Sequence, residues 1–160
     1  MLPLSVSILK IGPESEAVLQ SLMDLYLRDM SEWFAVDSYD VSSIWAKGYD
    51  AYLAKVGDSL AGFALIGSAD EWLGKMGGHD VHEFFVTRGF RRTGVGERMA
   101  ALLWDERPGE WLVRGLEANA GAVLFWRRAI VKYSGGSYVE EDRMVKGRAW
   151  RFFRFMSNGR

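Results

Sequence analysis

The order in which strand-like and helix-like runs follow one another limits the fold of this chain more than any other feature. Residues 4–10 (LSVSILK) alternate apolar and polar positions and predict a strand. Gly12-Pro13 then breaks the pattern, with Pro13 suited to a first helical turn. Val18, Leu19, Leu22, Met23, Tyr26, Leu27 and Met30 recur at helical spacing and predict an amphipathic helix over 14–31. Residues 32–49 are irregular, rich in Ser, Asp and aromatics, and read as a short helix or a loop. Strand-like runs at 50–56 and 59–67 flank Gly57-Asp58 and predict a hairpin. A glycine-rich loop (Gly74, Gly77, Gly78) leads to a strand at 79–87, then a helix at 95–106 and a strand in GEWLVRGLE. A helix at 120–131 and strands at 137–145 and 148–156 close the chain, with Gly147 in the last turn. Such an order predicts an α/β protein whose sheet mixes parallel and antiparallel pairs.

The chain has 160 residues, of which 49% are hydrophobic and 26% charged. One domain over 1–160 with a sizeable core is expected, not a disordered chain. There are no cysteines, which removes disulfides, thiolate nucleophiles, Cys-ligated zinc and iron–sulfur clusters. The two histidines, His79 and His82, have no recognised metal-ligand spacing, so no metal is expected. No apolar run approaches the ~20 residues of a membrane span. The opening MLPLSVSILK lacks the features of a secretory signal, and a cytoplasmic location is expected.

Charge is balanced overall at −1 but not along the chain. Residues 1–80 carry 5 Lys/Arg and 12 Asp/Glu, whereas residues 81–160 carry 15 and 9. Solvated faces explain this as well as an anion met by the second half and a cation met by the first. Nucleic acid would be one such anion. The aromatics near the arginines lie in apolar patterns and read mostly as core, so no nucleic-acid partner is expected.

The stretch EFFVTRGFRRTGVGERMAALLW says most about chemistry. A strand runs into Arg91-Arg92-Thr93-Gly94-Val95-Gly96 and then directly into a helix. Glycines let the backbone turn tightly and approach a ligand. Successive amides can converge at the new helix's positive end and form a nest for a diphosphate. Arg91 and Arg92 add charge beside it. The Gly-Lys-Ser/Thr ending of a Walker A loop is missing, and the turn does not fit the Rossmann fingerprint.

This turn resembles the cofactor motif of the GCN5-related N-acetyltransferase (GNAT) superfamily, Arg/Gln-x-x-Gly-x-Gly/Ala after the fourth strand. Arg91, Gly94 and Gly96 stand at its defined positions. Asn119, Ala122, Phe125 and Trp126 resemble the family's Asn-x-x-Ala-x-x-Phe/Leu-Tyr after the fifth strand, and VGDSLAGFALI resembles its second and third strands. The resemblance implies a GNAT-like α/β fold. Its central sheet would be mixed and mostly antiparallel, with splayed fourth and fifth strands and flanking helices. It also implies acetyl-CoA as cosubstrate and direct transfer of the acetyl group to an amine, with no covalent enzyme intermediate. Many members of the family dimerise, so a homodimer is within the expectation.

By this resemblance, backbone amides of Arg92, Gly94, Val95 and Gly96 would bind the diphosphate, with Arg91, Arg92 and Thr93 beside it. Main-chain groups of Phe85 and Val86 would pair with the pantetheine arm as an added strand does. Asn119 and Trp126 would complete the cofactor side. An alkylammonium is not nucleophilic, so a base is needed. Glu83 is the first candidate for it and His82 the second, with Asp80 a rival. The family's usual acid, a Tyr, is replaced here by Trp126, whose indole is a poor acid; Tyr133, Tyr138 or solvent could serve.

Acceptor contacts would come from the first helix and the segment after it, which holds Tyr26, Asp29, Glu32, Trp33, Phe34, Asp37, Tyr39 and Asp40. Tyr26, Asp29 and Trp33 are the chosen candidates, because rings beside carboxylates suit a small cationic amine. Two other readings stay open. Trp126 favours a non-catalytic acyl-CoA-binding or regulatory domain, and the basic second half favours a nucleic-acid-binding module. No membrane role is expected.

Overall fold

The computed structural model describes residues 5–35 and 38–159. The expected Leu4 strand start and Asp37 therefore lie outside the described residues. The chain forms β1 (Val6–Ile11), α1 (Glu16–Met30), a short α2 (Ser43–Ala46), β2 (Asp50–Val56) and β3 (Ser59–Ser68). It continues through a short α3 (Asp70–Leu73), β4 (His79–Val86), α4 (Val95–Glu106) and β5 (Gly109–Leu116). It ends in α5 (Ala120–Ser134), β6 (Tyr138–Val145) and β7 (Arg148–Ser157). The seven strands form one sheet in the order β1-β2-β3-β4-β5-β7-β6. Neighbours β1–β2, β2–β3, β5–β7 and β6–β7 are antiparallel. β4 and β5 are parallel and pair at two positions near the start of both strands, His79↔Trp111 and Asp80↔Leu112. This is the GNAT-like mixed α/β sheet the sequence predicts.

The chain divides into two compact units. One holds the residues up to Gly67 with Glu83–Met99; the other holds Ser68–His82 with Ala100 onward. Strand β4 passes from the second to the first between His82 and Glu83.

In the first unit, the middle of the stripe read from α1 is buried, whereas Val18 at its start is exposed. Leu19, Leu22 and Met23 join Val41, Ile44, Leu53, Phe63, Leu65 and Phe85 in one apolar cluster. Burying a side chain of this size contributes roughly 1.5–3 kcal/mol. Side chains of α1 hold the segment after it. Gln20 donates from Nε2 to the Tyr39 carbonyl (2.7 Å) and accepts at Oε1 from the Val41 amide (3.0 Å). Trp45 donates to Glu16 at 2.9 Å.

Strands β3 and β4 come very close at Gly62. A Cβ built there would lie 2.0 Å from the Phe85 carbonyl oxygen and 3.2 Å from the Val86 Cα. The Ala69 amide donates to the Gly78 carbonyl and the Thr87 amide to the Ala61 carbonyl, so the strands run antiparallel with one extra residue in β4. That extra residue is a bulge, and it re-aims the strand end that carries Phe85 and Val86. Only glycine fits beneath it. Gly62→Ala should cost about 3 kcal/mol, because the colliding atoms are backbone and cannot rotate away. Urea denaturation measures this, and an unchanged midpoint would count against the bulge.

In the second unit, Trp104 lies edge-on to Phe155 (4.7 Å) and Tyr133 (5.0 Å). On another side of the sheet, Ala69, Leu112 and Phe152 pack with Trp72. Arg127 donates to Glu140 from Nε (2.9 Å) and Nη2 (2.7 Å), and Arg151 donates to it at 2.7 Å. The Arg127 hydrogen bonds, with help from Arg151, hold the Glu140 carboxyl below the usual range despite some desolvation. α5 runs three residues past the expected end at 131, because Lys132, Tyr133 and Ser134 remain helical until Gly135 turns left-handed at φ +65°.

Candidate active site

The turn after β4 is built from local hydrogen bonds and two left-handed residues. The Phe90 amide donates to the Thr87 carbonyl (3.0 Å) and the Arg91 amide to the Arg88 carbonyl (3.3 Å). The Thr93 hydroxyl closes back on the Phe90 carbonyl. Arg92 and Gly94 sit at φ +59° and +87°. The left-handed conformation suits Gly94 and strains Arg92. A Cβ on Gly94 would meet nothing within 4 Å, so the turn faces open space. Residues Arg91–Gly94 are exposed, and Val95 is fully buried, which pins the first residue of α4 in the core.

The Arg98 amide bonds to the Gly94 carbonyl at 3.1 Å, one helical turn back. Amides of Val95 and Gly96 precede it and have no helical carbonyl to donate to. They stand at the positive end of α4. Two amides without a helical acceptor, an exposed left-handed glycine and open space beside it together fit a diphosphate.

Arg91 is not simply available to phosphate. Its Nε donates to the Val86 carbonyl at 3.0 Å, its Nη2 donates to Asp29, and its guanidinium lies 5.6 Å from the Phe85 ring centre. Asp29, expected among acceptor contacts, is therefore engaged by Arg91, with Arg88 3.6 Å away. Tyr26 packs in the core against Phe63 (5.7 Å, edge-on) and Phe85 (5.6 Å). Trp33 is half-buried in the turn after α1, its amide bonded to the Met30 carbonyl. Asp40 accepts from the Ser42 amide at 3.0 Å, and hydrogen bonds from Ser42 lower its pKa.

Glu83 is half-buried on β4. The Tyr39 phenol is pushed above its ordinary pKa first by burial, then by the Glu83 charge, then by Tyr49. The Tyr49 ring lies on Gly67, where a Cβ would be 2.6 Å from its edge. The Glu83 charge thus reaches the Tyr39 phenol, on which Tyr49 also acts. The sequence reading named Tyr39 only within a longer segment and passed over Tyr49. The one local signal for Tyr49 was a glycine in β3, and that does not say which ring covers it.

The second unit holds the other candidates. Asp80 is buried and takes two hydrogen bonds from Arg114, at 3.1 and 2.7 Å. Arg114 also lies 4.7 Å over the Trp72 ring. An acceptor-only carboxylate so held is a structural anchor. His82 Nδ1 is 3.9 Å from Asp80 Oδ2. Asn119 caps α5, accepting from the Ala122 amide at 3.1 Å. Trp126 is 7% exposed and packs against Phe125 (4.9 Å) and Trp104 (6.3 Å). Tyr133 shares its hydroxyl with Asp105 (2.7 Å) and Ser157 (2.8 Å), and Ser157 donates to the Trp104 carbonyl. That network accounts for Tyr133 as a tether of α5. Among the described residues, no group of three or more His, Asp or Glu is gathered as a metal site. No helix there is long and apolar enough to cross a membrane.

A family model described as acetyltransferase (GNAT) family matches residues 19–129, a span that includes most of α1, all of β4, the α4 turn and most of α5. The chain belongs to the GNAT acetyltransferase family. The fold of this GNAT protein is similar to that of an aminoglycoside acetyltransferase in complex with coenzyme A (TM-score 0.71, 13% identity, 95% of each chain). It is similar to spermidine N-acetyltransferase from Vibrio cholerae in complex with CoA and spermine (TM-score 0.70, 10% identity, 95% of each chain). It is also similar to the ribosomal-protein-S18-alanine N-acetyltransferase from Escherichia coli (TM-score 0.63, 12% identity, 96% of this chain and 94% of that one). No curated protein sequence matches the chain.

Proposed function

We propose that this GNAT N-acetyltransferase moves an acetyl group from acetyl-CoA to the amine of a small cationic acceptor by direct attack, as one domain over its length. The observation that carries the cofactor part is the α4 turn, where the exposed left-handed Gly94 leads into the Val95 and Gly96 amides. The solved structures with CoA or spermine bound support the same reading. Arg92 and Thr93 stand in the same exposed turn. Main-chain groups of Phe85 and Val86 are assigned to the pantetheine arm, with the Val86 carbonyl already accepting from Arg91.

Glu83 takes the proton from the acceptor ammonium. The neutral amine then forms the C–N bond at the thioester carbonyl; as the C–S bond breaks, the nitrogen gives up its second proton, which passes through water to the leaving thiolate. Tyr39, which feels the Glu83 charge, suits a cation through its ring face. Asp29 is engaged by Arg91, and Glu83 is the carboxylate assigned to the amine.

Calorimetry with CoA and acetyl-CoA tests the cofactor. Thiol release over a panel of polyamines, aminoglycosides and amino-terminal peptides tests the acceptor class. Gly96→Trp fills the start of α4 with a large side chain and should abolish CoA binding while the circular dichroism spectrum is kept. CoA binding to that variant as tight as to the native protein would remove the turn from the cofactor site. A second reading, an acyl-CoA binder without turnover, is favoured by buried Trp126 standing where the family usually has Tyr. CoA binding with no thiol release for any amine would select it.

A further inference from the structure

Asp29 lies in the last turn of α1, where the helix dipole is negative and a carboxylate is disfavoured. Arginines from the segment after β4 offset this. Arg91 donates to it directly, and Arg88 lies 3.6 Å from its other oxygen. The same Arg91 side chain holds the Val86 carbonyl at 3.0 Å and covers the Phe85 ring. One guanidinium thus joins the end of α1, the end of bulged β4 and the first residue of the α4 turn. Its planar fork can serve two acceptors at once, which a lysine cannot reproduce.

The residue that follows, Arg92, is held at φ +59°. A non-glycine residue there is strained and persists only where its surroundings hold it. The fork immediately before it is such a hold.

We propose that Arg91 is a positioning residue, anchored by Asp29, which keeps the Arg92–Gly96 turn in the shape that presents its amides to the cofactor diphosphate. This rests on the acetyl-CoA reading above, but its first test does not. In the free protein, backbone amide relaxation should show Arg92–Gly96 as ordered as the helices, with order parameters near ~0.85. Asp29→Asn keeps the side-chain shape and removes the charge. It should lower the order parameters of the turn to ~0.6 or below while α5 is unchanged.

In the second test, CoA titration, Asp29→Asn should weaken binding about 3–10-fold and Arg91→Ala at least as much. The double variant should be no weaker than Arg91→Ala alone, because both remove one interaction. Arg91→Lys should restore little of the loss. An unchanged turn in Asp29→Asn overturns the proposal. So does CoA affinity that is unchanged or tighter in Asp29→Asn while Arg91→Ala alone weakens it: Arg91 would then act on phosphate directly and Asp29 would compete for it. If the native protein binds no CoA, the acetyl-CoA reading fails, and relaxation alone decides the anchor. If Arg91→Ala does not fold, Asp29→Asn and Arg91→Lys carry both tests.

Discussion

Glu83→Gln should lower kcat by about 10²–10⁴-fold and leave CoA affinity unchanged. The substitution keeps size and hydrogen-bonding capacity but removes the group that takes the ammonium proton. The loss should fall equally on kcat and kcat/KM if the carboxylate acts on the reacting amine, whereas a rise in acceptor KM alone would make it a binding charge. Tyr39 gives a second readout. Part of the upward push on its phenol comes from the Glu83 charge, so its titration should move to lower pH in the variant, with the larger effect of burial remaining. Ultraviolet difference titration follows it. Turnover equal to native would remove Glu83 from the mechanism, and a loss in His82→Asn instead would move the proton acceptor to His82.

Arg114→Met should destabilise the protein by about 3–5 kcal/mol, because it leaves the Asp80 carboxylate buried without its partner. The Asp80 side chain is 4% exposed and both of its oxygens accept from Arg114. For a chain of this length that is a fall in Tm on the order of 10 °C, read by thermal circular dichroism. Asp80→Leu combined with Arg114→Met should recover most of the loss, since two apolar side chains remove the charge along with its partner. A double variant as unstable as Arg114→Met would show that the cost lies in lost packing over Trp72 and not in the orphaned charge.

Several elements were legible because their signal is local. The helix expected at 95–106 and the strand at 50–56 have the residue bounds found in the structure, since both carry a clean period between glycine or proline breaks. Four-residue α3, Asp70–Leu73, is too short to show a period and was not foreseen. At the candidate site, the left-handed Gly94 was legible because a tight turn into a helix calls for a glycine there. Side-chain partners were not legible. Arg91 reads from the sequence as a phosphate ligand, and the structure places its guanidinium on Asp29 and Val86. Asn119 reads as a cofactor residue and caps α5.

What the order of residues determined by itself is the succession of strands and helices, the placement of the glycine turn at the start of α4, and the lack of a cysteine nucleophile. These follow from side-chain period and backbone freedom within a few neighbours. Tertiary structure alone decided the close approach of β4 to Gly62, the reach of the Glu83 charge to Tyr39, and which carboxylates are held by arginines. Those pairings join residues far apart in the chain. Asp29 and Arg91 are 62 positions apart, and a charge does not carry in its local sequence the identity of a partner that only folding brings within reach.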